Sequence, residues 1–316
     1  MTRVGAIDCG TNSIRLLVAD LDPGSGALTD VLRRVEVVRL GYGVDRTGRI
    51  APEAMERTLA MAREYAGQCR ELGAEGVRFV ATSASRDASN AADFVAGVAE
   101  AFNHYGIAPE VVSGDEEASL SFRGATGDLR EAGIAGPYLV VDLGGGSTEF
   151  VRGEAAIESA LSVDIGCVRM TERHLRSDPP DHAEIRDAVR DINAAIDEAA
   201  ESVDFEGIGT LVGVAGTVTT ITAHALGLPT YDPARIHLSR LEPVEVQRAA
   251  SSLLHMSHAE RAALGFMHPG RVDVIGAGAL VWHEVVRRLA GHGVQQVVTS
   301  EHDILDGIAL SVADHP

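Results

Sequence analysis

Two stretches decide how this chain is read: Ile7-Asp8-Cys9-Gly10-Thr11-Asn12-Ser13 near its start and Val141-Asp142-Leu143-Gly144-Gly145-Gly146-Ser147 near its middle. Both follow the pattern apolar-Asp-x-Gly-x-x-Ser, and Asp8 and Asp142 lie 134 residues apart, about one domain length. Each sits between two runs rich in Val, Ile and Leu, so each reads as a turn joining two strands. A strand that ends in Asp and enters a glycine turn leaves several backbone N–H groups convergent, a nest suited to phosphate oxygens.

Working outward, Val4–Asp8, Ile14–Asp20 and Ala27–Leu40 read as three β-segments, with Pro23-Gly24-Ser25-Gly26 as a turn. Pro52 opens a helix with Met55, Leu59, Ala62, Ala66 and Cys69 on one stripe, closed by Gly73. A strand at Val77–Thr82, a helix from Ala91 with Phe94, Val98 and Phe102 on one face, and a strand at Ala108–Val112 follow. The order then restarts. Tyr138–Asp142, Thr148–Arg152 and Ala156–Val163 are again three β-segments, followed by a long helix carrying Ile185, Val189, Ile192, Ile196 and Ala199, then strand Thr210–Val214. Helices at Thr217–Leu226, Pro243–Met256 and Val272–Leu289, a strand at Val294–Thr299 and a closing helix from Asp303 complete a second copy with insertions.

Composition bounds the chemistry. The chain has 316 residues and is 45% hydrophobic, enough for two domains with substantial cores. Its 27 basic residues are all Arg, against 46 acidic residues, for a net charge of −19. Without lysine there is no P-loop lysine, kinase strand lysine or Schiff base, so phosphate chemistry falls to Arg, backbone N–H groups and metal. The acidic balance argues against nucleic acid and anionic membranes as partners. No apolar run approaches the ~20 residues of a membrane span. Cys9, Cys69 and Cys167 form no C-x-x-C pair, which suits a reducing, cytoplasmic setting.

The motifs supply candidate groups. Thr11, Asn12, Ser13, Ser147 and Thr148 add side-chain donors to the two nests, and Gly144, Gly145 and Gly146 add backbone ones. Carboxylates beside phosphates call for a divalent cation, and Asp8, Asp142 and Glu149 are the hard oxygen ligands Mg²⁺ accepts. Glu149 lies seven residues beyond Asp142: it either returns across the hairpin towards that aspartate or faces solvent. In Val80-Ala81-Thr82-Ser83-Ala84-Ser85-Arg86, an arginine stands just past a strand end, where it can hold phosphate oxygens bidentately. Val111-Val112-Ser113-Gly114-Asp115-Glu116-Glu117-Ala118 places three acids at a helix start, either to favour the helix dipole or to supply one general base. Gly216 and Thr217 open another anion-compatible helix terminus. Arg169 and Arg271 fit a substrate channel and surface salt bridges equally well, and His255 and His258 have no accompanying ligand cluster in the sequence.

The four segments Ile7–Leu16, Ala81–Arg86, Ser113–Ala118 and Val141–Glu149 together resemble the exopolyphosphatase and guanosine pentaphosphate phosphohydrolase family, in order and spacing across the chain. That resemblance implies an α/β fold of two duplicated actin-like, ribonuclease-H-like domains with a central cleft: residues 1–125, with the closing helix of 300–316 packing back on them, and residues 126–299. It also implies that Glu117 is the catalytic base, that Asp142 and Glu149 bind essential Mg²⁺ with Asp8 completing the site, and that Arg86 holds substrate phosphate. Mn²⁺ is the alternative ion. The chain stops after two domains where long family members continue, so it resembles the short-chain members.

The function expected is Mg²⁺-dependent removal of terminal orthophosphate from inorganic polyphosphate, favouring shorter chains. Hydrolysis of guanosine pentaphosphate, with (p)ppGpp as partner, is the nearest alternative. An ATP-dependent small-molecule kinase and a nucleotide-responsive regulator are alternatives of other classes. A homodimer is the family-level expectation.

Overall fold

The computed structural model describes residues 1–22 and 24–314. Pro23 of the expected turn lies outside the described residues, as do His315 and Pro316 of the expected closing segment. The chain divides into two units, Met1–Gly124 with the segment from Ile304 onward, and Ala125–Asp303.

In the first unit, β1 (Thr2–Cys9), β2 (Ser13–Leu21), β3 (Leu28–Val37), β4 (Gly76–Ala81) and β5 (Glu110–Val111) form one sheet in the order β3-β2-β1-β4-β5. β1 to β3 are an antiparallel meander, whereas β4 and β5 run parallel to β1. The second unit places β6 (Tyr138–Leu143), β7 (Thr148–Gly153), β8 (Ile157–Val163), β9 (Thr210–Val214), β10 (Ser239–Leu241) and β11 (Val297–Thr299) in the order β10-β11-β9-β6-β7-β8. Counted from the meander edge, both sheets run third, second, first strand and then two parallel strands. β10 is an added antiparallel edge. The α/β duplication is therefore present in the strand order itself.

The first sheet is covered on both faces, which is why β1 reads as a nearly continuous apolar run. Ile7 and Cys9 join a core with Phe79, Phe94, Phe102 and Tyr65. Val4 and Ala6 point the other way, into a core with Leu17, Leu120, Ile304, Leu305 and Ile308. There the closing helix Ile304–Ser311 approaches so tightly that a Cβ on Gly307 would overlap the Leu120 carbonyl. The second unit's core is one large cluster, with Trp282 at 1% exposure over Gly213 and with Ile192, Ile196, Val246 and Leu253 from the long helices. No helix among the described residues is long and apolar enough to cross a membrane.

Several boundaries differ from the sequence expectation. The stripe on Pro52–Glu71 is rotated: Ala54, Thr58, Ala62, Tyr65 and Cys69 are buried, while Met55, Leu59 and Ala66 only flank the core. Tyr65 decides this, because its hydroxyl donates to the Ile14 carbonyl at 3.3 Å. β3 stops at Val37, not Leu40, because the Val38 and Arg39 N–H groups turn to the Asn12 carbonyl. The Val272–Leu289 helix begins at Ile275 after a short 3₁₀ turn, and the strand expected at Val294–Thr299 keeps only Val297–Thr299.

Candidate active site

The two motif turns close in the same way. Gly10 N–H donates to Ser13 O at 2.9 Å, and Gly144 N–H donates to Ser147 O at 3.1 Å. Hairpin register then sets what faces each aspartate: Asp8 lies opposite Arg15, and Asp142 lies opposite Glu149. Residues directly opposite in an antiparallel pair put their side chains on one face, close together.

At the first turn the result is an ion pair. Arg15 donates to Asp8 Oδ2 from Nε at 2.8 Å and from Nη2 at 2.6 Å, with Asp8 only 5% exposed. The neighbouring Cys9 thiol is pushed well above its usual range by burial and by the Asp8 charge. At the second turn two acids share a face, Asp142 at 6% and Glu149 at 1% exposure, with the Ser162 hydroxyl donating to Glu149 Oε1 at 2.7 Å. Glu149 therefore does not face solvent. Like charges placed opposite each other are destabilising, and a pair of buried carboxylates with a hydroxyl nearby is the hard oxygen set that fits Mg²⁺. Asp8 differs, since Oδ2 is already engaged by Arg15.

The glycine turn of the second unit is held from behind by the helix Cys167–His174. Cys167 N–H donates to Gly144 O at 3.0 Å and Val168 N–H to Gly145 O at 2.8 Å, while Gly146 O accepts from Gly166 N–H at 3.1 Å and Arg169 Nε at 2.7 Å. In a planar trans peptide the N–H points opposite to the carbonyl. With three carbonyls fixed towards the helix, the N–H groups of Gly145, Gly146 and Ser147 are presented on the other side. Gly166 permits this because a Cβ there would overlap the Gly145 carbonyl. In the first unit the Thr11 carbonyl accepts from Gly41 N–H at 2.8 Å and the Asn12 carbonyl from Arg39 N–H at 2.8 Å, turning the Asn12 and Ser13 N–H groups away. Thr11 Oγ1 is buried with no partner among the described residues.

Of the three acids opening the helix Gly114–Glu131, only Glu117 is buried, at 8% exposure. Glu116 is spoken for structurally, pairing with the buried Arg78 at 2.7 Å. Arg86, on the short helix Ser83–Asp87, donates from Nη1 to Glu117 Oε2 at 3.1 Å and to the Val112 carbonyl at 2.9 Å. These are its hydrogen bonds among the described residues, so Nε and Nη2 make none.

After β9 the chain turns at Ala215, whose φ of 70° lies in the left-handed region, and enters the helix Ala215–Ala225 with Thr217 buried. The Arg271 guanidinium lies where a Gly216 side chain would be and donates from Nη1 to Thr220 Oγ1 at 3.3 Å. Sequence reading left Arg169 and Arg271 without a role; each lies against a glycine turn of the second unit. Arg15 was likewise missed, although it is seven residues from Asp8, the same spacing that joins Glu149 to Asp142.

One grouping went unforeseen. Asp128, His237 and His302 bring their ligand atoms within 4.8 Å of one another, a set able to hold a metal ion. Asp128 Oδ2 lies 2.7 Å from His302 Nδ1 and 3.2 Å from His237 Nε2. The Glu301 N–H donates to His237 Nδ1 at 3.2 Å, so the neutral ring carries its proton on Nε2, facing Asp128. Two imidazoles are poor partners for Mg²⁺, which favours oxygen.

Comparison with known proteins places these features in a family. The sequence profile described as the Ppx/GppA phosphatase family matches residues 17–314. The chain is 51% identical over 318 residues to Exopolyphosphatase 2 of Mycobacterium tuberculosis, covering 99% of each protein. It superposes on the crystal structure of an exopolyphosphatase-like protein with TM-score 0.93 at 45% identity, over 99% of each chain. A Ppx/GppA family member from Aquifex aeolicus matches with TM-score 0.79 at 26% identity, over 100% of this chain and 99% of that one. With matched turns, matched sheets and a family profile running almost end to end, the chain belongs to the Ppx/GppA phosphatase family.

Proposed function

We propose that this protein is an exopolyphosphatase, hydrolysing the terminal phosphoanhydride of inorganic polyphosphate with Mg²⁺ and releasing orthophosphate, with a preference for shorter chains. The observation that carries the reading is the buried Asp142–Glu149 pair beside the braced Gly144–Ser147 turn, joined to the likeness to Exopolyphosphatase 2 over the full chain.

Asp142 and Glu149 would hold the ion, which when bound offsets charge on the phosphate oxygens, and Asp8, held by Arg15, completes the site at the first turn. The N–H groups of Gly145, Gly146 and Ser147, with Thr11, Asn12, Ser13, Gly216 and Thr217, bind phosphate oxygens. Arg86 meets the terminal phosphoryl group through Nε and Nη2, a bidentate fork, while Nη1 keeps Glu117 in place. Glu117 orients the attacking water and takes its proton on a carboxylate oxygen as the P–O–P bond breaks and the shortened chain leaves. The same proposal includes a cytoplasmic homodimer, which light scattering and fractionation check.

The test is orthophosphate release from defined short and long polyphosphates, with guanosine pentaphosphate and ATP in parallel, with and without Mg²⁺. Rapid release from short polyphosphate that stops on chelation is the expected result. Faster release from guanosine pentaphosphate would transfer the assignment to that substrate, and consumption of ATP only with a hydroxylated acceptor would replace hydrolysis by phosphoryl transfer to that acceptor.

A further inference from the structure

The second unit contains a pocket of about 200 Å³ that none of the motifs reaches, lined among others by Arg176, Asp178, His258, Arg261, Asp273 and Gly276. At its base is Arg261, only 6% exposed. Among the described residues its guanidinium makes one hydrogen bond, from Nη2 to Asp178 Oδ1 at 2.9 Å, and its Nε is buried with no partner. A buried guanidinium so incompletely paired is costly unless something else satisfies it. Nη1 lies against Gly276, 2.7 Å from where a Cβ would stand, so the absence of a side chain at 276 is what lets the guanidinium occupy this place.

Gly276 and Ala277, which both line the pocket, are in the first turn of the 17-residue helix Ile275–Gly291. The first N–H groups of a helix have no intrahelical acceptor, and the capping residue, Val274, supplies no side-chain bond. Buried positive charge and uncapped amides therefore meet in one cavity, a combination suited to an oxyanion. Asp178 offsets part of that charge by pairing with Arg261 Nη2, which leaves Nη1 and the helix amides to the cavity. Asp178 is engaged by Arg261 and by the His258 N–H at 2.8 and 2.9 Å, and Asp273 is paired with His258 Nε2 at 3.1 Å. They do limit the occupant, because carboxylates around the site repel a long polyanion. The volume falls below the roughly 300–1,000 Å³ of sites for drug-sized ligands, which excludes a nucleotide.

We propose that this pocket, built by Arg261 and the N-terminal turn of the 275–291 helix, is an accessory binding site for a single orthophosphate-sized oxyanion, separate from the Gly144–Ser147 turn. Calorimetric titration of the whole, metal-free protein with inorganic phosphate tests it, with sulfate and tripolyphosphate as comparison probes. Arg261→Gln removes the charge. Gly276→Ala keeps the arginine, favours the helix and displaces the guanidinium, so it serves where the first variant folds poorly. Each is expected to weaken phosphate binding at one site at least tenfold, while Arg86→Gln leaves that site intact. Sulfate should compete and tripolyphosphate should not. Phosphate binding unchanged in both Arg261→Gln and Gly276→Ala, or a single site lost only with Arg86→Gln, would overturn the assignment.

Discussion

The Gly10–Ser13 and Gly144–Ser147 turns share a hydrogen bond, a hairpin and an aspartate, and they part in charge at the residue opposite that aspartate, Arg15 for Asp8 and Glu149 for Asp142. The first copy carries its own counter-charge and is electrostatically complete. The second places two acids where one cation would relieve both. Duplication thus preserved the backbone device for presenting N–H groups, while a single cross-strand position assigned different chemistry to each copy.

That contrast breaks or sharpens under substitution. The largest effect should come from Glu117→Gln. If the first unit supplies the base and not the cation site, kcat falls roughly 10²–10⁴-fold, with the Mg²⁺ concentration for half-maximal rate unchanged. A shifted Mg²⁺ titration in that variant would dissolve the division of labour. Glu149→Gln should do the opposite in kind: apparent Mg²⁺ affinity drops by about 10–100-fold or more, since outer ligands alone are worth that much. Melting with chelator present should occur at a higher temperature than in the parent, because like-charge repulsion is gone.

Arg15→Gln leaves Asp8 buried beside no guanidinium and should cost about 3–5 kcal/mol in denaturant unfolding; a loss below 1 kcal/mol would mean the pair is not the first turn's counter-charge. Next come the glycines that back each turn. Gly166→Ala meets the Gly145 carbonyl, a backbone atom that cannot rotate away, and should cost about 1–3 kcal/mol and raise KM for polyphosphate. Gly41→Ala meets the Thr11 methyl, and Thr11 can turn about χ1 without losing a hydroxyl bond, so its cost should be smaller. The smallest change is expected at Ala215→Gly. Relief of a left-handed alanine, offset by glycine's greater chain entropy, should stabilise by about 0.5 kcal/mol in thermal unfolding.

Much of this was legible because it is local. A turn written Asp-x-Gly-x-x-Ser between apolar runs specifies its own geometry, and a spacing of seven across that turn brings residue 149 back to residue 142. The same count applied to Asp8 would have found Arg15. Local rules also carried the helix openings at Pro52 and Pro243, where proline stands in the first turn. What could not be read depends on contacts remote in sequence. The brace behind Gly144–Gly146 comes from Gly166–Arg169, at the start of the eight-residue helix Cys167–His174, which has no long apolar stripe. Arg271 reaches Gly216, and His302 reaches Asp128 across 174 positions, only because the fold brings them there. The stripe on Pro52–Glu71 was misplaced for a related reason: periodicity finds a face, but a single polar reach, Tyr65 to Ile14, sets its rotation.

The closing helix has a bearing on biogenesis. Ile304, Leu305, Ile308 and Ala309 supply part of one face of the core that buries Val4, Ala6 and Leu17. Until residues 304–311 have been translated, the core that Val4, Ala6 and Leu17 share with Leu120 lacks its closing helix, whereas the intervening unit, Ala125–Asp303, is continuous in sequence. Although nascent chains usually fold N-terminal first, the unit begun first here can complete its core only after the whole of the other has been translated.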